Sequence, residues 1–144
     1  MDEQTVRKTY KHKLKPTSEQ EQAMEFVARR CCELYNAALQ ERKDAWQKRG
    51  VSVPVAGQSA QLPEVKNIRP EYRDIHSQVL QDALTRLDRA FQAFFRRVRN
   101  GETPGYPRFQ GANRYNSFTY KTTKIARLLG HFFPISREFC MMPA

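Results

Sequence analysis

The chain has 144 residues, 40% of them hydrophobic, and a formal net charge of +10 with a pI near 9.9. That length suits one domain, or a piece of a larger protein, around a modest core. No apolar run approaches the ~20 residues of a spanning helix, the acidic Met1-Asp2-Glu3 start has no secretory h-region, and three cysteines with two adjacent exclude a disulfide framework.

Taken in chain order, "TVRKTYKHKLK" from Thr5 to Lys15 roughly alternates, with Val6, Tyr10 and Leu14 on one face and Arg7, Lys11, Lys13 and Lys15 on the other. It predicts a strand with one apolar and one basic face, ended by Pro16. "TSEQEQ" then offers Thr17 or Ser18 as an N-cap with Gln20 or Glu21 three residues on, a capping box with acids in the first turn. Ala23, Met24, Val27, Cys31, Leu34, Tyr35, Ala38, Leu39 and Trp46 keep helical spacing to about Arg49, where Gly50 ends it. A pattern this long predicts a break near Arg29-Arg30.

Residues 50–61 read as a loop of Gly, Pro and small side chains. A short helix is expected from Ser59 to Asn67, interrupted or restarted by Pro63, with a further junction at Pro70. The second long helix begins after His76. Leu80, Ala83, Leu84, Leu87, Phe91, Phe94, Phe95 and Val98 form its apolar face. Opposite runs a stripe of Gln78, Gln81, Thr85, Arg89, Gln92, Arg96 and Arg99 with no carboxylate in it, and Asp82 stands to its side, four residues before Arg86. A merely solvated face usually mixes Glu and Lys; amides and arginines suit phosphates and base edges better. "GETPGYPRFQG" is a structured loop. "RYNSFTYKT" predicts a short returning strand, Tyr115, Ser117, Thr119 and Lys121 against Asn116, Phe118 and Tyr120.

The charge is segregated along this order: residues 2–15 carry +3, residues 16–85 carry −1 and residues 86–127 carry +8. Basic flanks around a neutral middle point to a polyanion, nucleic acid ahead of a membrane surface. Catalysis finds no such support. Cys31 and Cys32 point about 100° apart on a helix and cannot readily share a metal, His12, His76 and His131 are isolated, and Glu19, Glu21, Glu25, Glu33, Glu41 and Asp44 lie scattered beside lysines and arginines. The expectation is no metal, no cofactor and no enzyme. Tyr106, Phe109, Tyr115, Phe118 and Tyr120 sit among Arg108, Arg114 and Lys121. Such rings either stack on exposed bases or form the core of a small sheet; for Phe118 and Tyr120 the core reading is preferred.

Four ordered blocks, "YKHKLKPTSEQEQAM", "CCELYNAALQERKDAW", "HSQVLQDALTRLDRAFQAFFRRV" and "GYPRFQGANRYNSFTY", resemble the N-terminal portion of TnpB, the OrfB-type family of insertion-sequence proteins, over about residues 8–122. The resemblance implies an α+β fold: a helical, helix-turn-helix-like recognition bundle inserted between strands of an incomplete wedge-type β-barrel. It divides the chain into a first barrel strand (1–16), a recognition domain (17–100), a loop and returning strand (101–123) and a divergent tail (124–144). It also implies a half-protein that grips a guide RNA and reads a short DNA motif. Ser77, Gln78, Gln81 and Thr119 fall at motif-reading positions. Arg7, Lys8, Lys11, Lys13, Lys15, Arg108, Arg114 and Lys121, together with Arg89, Arg96 and Arg99 of the stripe, fall at phosphate or RNA contacts. From Lys124 the text "KIARLLGHFFPISREFCMMPA" departs from the family, whose RuvC-like nuclease acids and zinc ribbon do not follow.

The expected function is therefore a cytoplasmic fragment, truncated or frameshifted near residue 123, that binds duplex DNA and structured guide RNA without cleaving. The other readings are a stand-alone helix-turn-helix regulator acting by occupancy and a helical protein-interaction module.

Overall fold

A computed structural model of the chain describes residues 10–120. Its first helix, α1 (Ser18–Arg49), opens with the reciprocal cap: the Gln20 N–H donates to Thr17 Oγ1 at 3.3 Å and the Thr17 N–H donates to Gln20 Oε1 at 2.9 Å. Glu19 and Glu21 sit in the first turn and Lys48 and Arg49 in the last, matching the helix dipole at both ends. Gly50 stops the helix in the left-handed region (φ 64°), where a side chain would be strained. The expected break at Arg29-Arg30 does not occur. Arg30 pairs with Glu33 along the helix at 2.9 Å, and Cys31, Cys32, Leu34 and Tyr35 are buried one turn on, so tertiary packing holds α1 continuous.

After Gly50 the chain returns along α1 as α2 (Val55–Ala60), α3 (Leu62–Ile68) and a single 3-10 turn, Pro70–Tyr72. Contacts step backwards down α1: Gln58 meets Arg42 and Ala38, Arg69 meets Glu33, and the Tyr72 hydroxyl donates to the Arg30 carbonyl. Half of the expected loop is thus helical. Gln58, almost fully buried, explains why: it accepts from Arg42 Nε at 2.9 Å and donates to the Ala38 carbonyl at 3.0 Å. Pro63 restarts the chain as part of the first turn of α3, where its missing N–H costs nothing.

The fourth helix, α4 (Ser77–Arg99), packs on α1 in the same direction, since Tyr35 and Arg86 both meet Tyr115 while Arg42, further along α1, meets Asp88 and Phe91, further along α4. Val79, Leu80, Ala83, Leu84 and Leu87 of α4 and Cys31 and Leu39 of α1 are the centre of the core. Residues 101–120 then descend the seam between the two long helices. Tyr106 packs on Phe91 and Phe94, Gln110 reaches Asn36, Tyr115 meets Tyr35, and Tyr120 meets His76.

This corrects the expected α+β class. Among the described residues there are four α-helices, one 3-10 turn and no strand, sheet or barrel, with Thr119 an isolated bridge position. Residues 10–16 form no strand; Thr5–Thr9 of that expected strand, the end of the returning strand from Lys121, and the 124–144 tail lie outside the described residues. The returning strand fails for a physical reason. Tyr115 and Phe118, each 7% exposed, are three residues apart and both buried, as suits a strap in a groove rather than a pleated face of period two. Among the described residues its backbone is served by side chains. Asn36 Nδ2 donates to the Gln110 carbonyl at 2.9 Å while Asn36 Oδ1 accepts from the Gln110 N–H at 2.8 Å, and Arg86 Nη1 donates to the Ser117 carbonyl at 2.8 Å.

The adjacent cysteines are buried, as the helix reading required, and burial pushes the Cys31 thiol up to about 12 and raises that of Cys32. A thiol shifted that far has roughly a thousandfold less thiolate at neutral pH. In a C140S chain, Cys31 and Cys32 are therefore expected to resist iodoacetamide until the chain unfolds, with labelling that follows the urea transition. Rapid labelling of either in the folded chain would contradict this packing.

Candidate nucleic-acid interface

With Val79, Leu80, Ala83, Leu84, Leu87 and Phe91 turned inward, helical geometry sends the amide and arginine stripe of α4 outward. Gln81, Arg89, Gln92, Arg96 and Arg99 are exposed, and Gln78 and Thr85 are half-buried. The acids beside the stripe are already engaged, and none pairs with a stripe arginine. Asp82 is buried against Arg86, and Asp88 accepts from Arg42 Nη1 at 3.0 Å and from Gln92 Nε2 at 2.8 Å. Thr85 Oγ1 donates back to the Gln81 carbonyl at 2.9 Å.

Two populations of arginine result. Arg29, Arg30, Arg42, Arg69 and Arg86 all pair with carboxylates. Arg49, Arg73, Arg89, Arg96, Arg97, Arg99, Arg108 and Arg114 are exposed and form no ion pair among the described residues, and the last six of these lie on α4 and the strap. Cations in the last turn of a helix stabilise it by ~0.3–1 kcal/mol each, so Arg96 and Arg99 also cap α4. That accounts neither for Arg89 in mid-helix nor for Arg108 and Arg114 in the strap.

At the other end, Ser77, Gln78 and Gln81 lie on the first turns of α4, and Thr119 is held to the same helix by Arg86. His76 caps the helix, its Nδ1 accepting from the Gln78 N–H at 3.1 Å, and its ring lies 6.1 Å from that of Tyr120. Ser77 Oγ accepts from Lys66 Nζ at 2.9 Å. Thr119 Oγ1 accepts from Arg86 Nη2 at 3.1 Å, which leaves the hydroxyl proton free to donate.

Arg86 is the residue that sequence reasoning undervalued. It is anchored by Asp82 at 2.8 Å, lies over the Tyr115 ring at 5.3 Å, and holds Ser117 and Thr119 with its remaining donors. The Asp82–Arg86 spacing signalled a local pair only.

Lys11, Lys13 and Lys15 are exposed on the segment that leads into α1. The first turns of α1, through Glu21, Met24, Glu25, Ala28 and Arg29, face residues 112–118 across a cleft of about 600 Å³. Arg114 therefore lies on the strap opposite the end of α1 that Lys15 enters. Arg7, Lys8 and Lys121 fall outside the described residues. The aromatic set divides: Tyr115 and Phe118 are core, Tyr120 is half-buried, and Tyr106 and Phe109 are exposed. Among the described residues no group of His, Cys, Asp and Glu could hold a metal ion, and no helix is long and apolar enough to cross a membrane.

Comparison with known proteins agrees with the resemblance read from the four blocks. The helix-turn-helix domain family of OrfB proteins of the IS605 type matches residues 1–51. Within the described part of that range α1 is one uninterrupted helix, so no turn between two helices lies there. InsQ of Escherichia coli, by its name a candidate RNA-guided DNA endonuclease, is 29% identical over 113 residues, covering 77% of this chain. The chain spans 27% of the length of that relative. Both matches support likeness to an N-terminal portion of OrfB/TnpB-type proteins.

Proposed function

We propose, from the match of residues 1–51 to an OrfB-type helix-turn-helix domain, that this chain is a DNA-binding N-terminal portion of such an insertion-sequence protein and binds without cleaving. One observation carries the reading: α4 and the strap gather six exposed arginines, Arg89, Arg96, Arg97, Arg99, Arg108 and Arg114, without an acidic partner among the described residues, whereas elsewhere only Arg49 and Arg73 lack one. Phosphates are the natural partners of such guanidinium groups. In this reading Arg89, Arg96, Arg99, Arg108 and Arg114, with Arg7, Lys8, Lys11, Lys13, Lys15 and Lys121, hold the backbones of DNA and of a structured guide RNA. Ser77, Gln78, Gln81 and Thr119 meet base edges.

Anisotropy titrations across a salt series test it. Each phosphate contact adds about 0.9 to the slope of log affinity against log salt, so Arg89, Arg96 and Arg99 changed together to alanine should flatten the slope by about 2–3. Gln81→Ala should leave the slope alone and alter sequence preference. Binding that ignores ionic strength defeats the proposal.

A further inference from the structure

The apolar stripe of α4 outruns the core it packs against. Its last buried member is Phe91; beyond it Phe95 is 53% exposed and Val98 is also exposed. Here the strap contributes Tyr106 and, 50% exposed, Phe109. Phe91, Phe94, Phe95 and Tyr106 are held by one another, and Phe109 follows Tyr106 three residues along the strap. Phe94 packs edge-on to Phe95 at 5.3 Å and to Tyr106 at 5.4 Å, and Phe91 meets Tyr106 at 5.7 Å and Phe95 at 6.3 Å. The result is a fixed aromatic surface, already ordered before any ligand arrives.

Its surroundings identify the ligand chemistry. Arg96, Arg97 and Arg99 from the last turn of α4 and Arg108, beside Phe109 in the chain, are exposed and unpaired among the described residues. The nearby acid, Glu102, accepts from Asn100 Nδ2 at 3.3 Å. A partner must therefore offer flat apolar faces and closely spaced negative charge together. A duplex hides its base faces by stacking, and an acidic protein surface seldom joins exposed rings to dense charge. An unpaired stretch of nucleic acid supplies both, with bases stacking on the rings while phosphates meet the guanidinium groups.

We infer that the C-terminal end of α4 and the strap beside it bind unpaired nucleotides, with Phe95 and Phe109 as the stacking platforms. This deepens the nucleic-acid reading above and rests on it. Phe95 and Phe109 are both half-exposed, so their replacement leaves the core intact.

The test compares a fluorescein-labelled oligouridine with a duplex DNA, using the full chain and F95A, F109A and F95L variants whose melting is checked by circular dichroism. Loss of one stacking ring is expected to weaken oligouridine binding roughly tenfold and duplex binding less than about twofold. Leucine should fail to rescue at 95, because a base needs a π face; F95W should restore binding. Equal losses on both ligands, or rescue by leucine, overturn the inference while leaving duplex binding as proposed. Loss confined to vesicles of phosphatidylglycerol, or to self-association in sedimentation, reassigns the patch to a membrane or to a second copy and also overturns it. Absence of binding to either nucleic acid by the unaltered chain overturns both readings.

Discussion

Asp88→Ala is expected to destabilise the chain by about 3 kcal/mol, the lower end of the cost of breaking a buried ion pair. The reason lies with its partner. Arg42 has a side chain only 8% exposed, sandwiched between α2 and α4 and lying over the Phe91 ring at 5.1 Å. Its Nε donates to Gln58 and its Nη1 to Asp88 at 3.0 Å, while Nη2 is buried with no protein partner. Arginine keeps its charge inside proteins, so removing Asp88 leaves a cation that is neither neutralised nor solvated. Asp88 is 22% exposed, and water entering on its side limits the loss. Asp88→Asn retains one acceptor and should cost less. Changing both partners, Arg42→Met with Asp88→Leu, removes the buried charge and should recover most of the stability. Urea unfolding followed by circular dichroism gives the values. If Asp88→Ala lost less than about 1 kcal/mol, the pair would have to be counted with the exposed bridges of α1.

Arg42 also shows which parts of this molecule a sequence discloses. Features built within one element were legible. The capping box at Thr17 and Gln20, the stop at Gly50, the amphipathic face of α4 and the burial of Cys31 and Cys32 all depend on residues a few positions apart. Features built between elements were not. Gln58 in a stretch of small residues gave no sign that it would be buried under Arg42, which turned an expected loop into α2. The strap had the alternation of a strand, but among the described residues the side chains that hold its backbone are those of Asn36 and Arg86, 74 and 31 residues away. Local pattern cannot tell a groove lined by side chains from the edge of a sheet. The candidate interface divides in the same way. The outward stripe of α4 follows from helical period alone, whereas the sorting of the five aromatics into core and surface depends on where the strap lies.

Arg86→Ala should cost about 3 kcal/mol and, unlike loss of any surface arginine, should damage sequence preference more than salt dependence. Asp82 is almost fully buried and Arg86 is its partner, so truncation strands a carboxylate in the core. The same change removes the donors that hold the Ser117 carbonyl, Ser117 Oγ and Thr119 Oγ1. The end of the strap then loses its anchorage on α4, and Thr119 its fixed place near the His76 cap, beside which Gln78 and Gln81 are presented. Because the Arg86 guanidinium is spent on the protein itself, the slope of affinity against salt should stay nearly unchanged. Arg96→Ala should give the converse: a loss of stability no greater than about 1 kcal/mol and a slope lower by about 0.9. Asp82→Ala with Arg86→Ala should be less destabilised than the two single losses combined, since no buried carboxylate remains. Arg86→Lys is the sharpest variant. Lysine preserves the charge, but its single ammonium cannot reach Asp82, Ser117 and Thr119 at once as a planar fork does. A lysine chain as stable as the original would mean that charge, rather than the geometry of the fork, holds the strap in its groove.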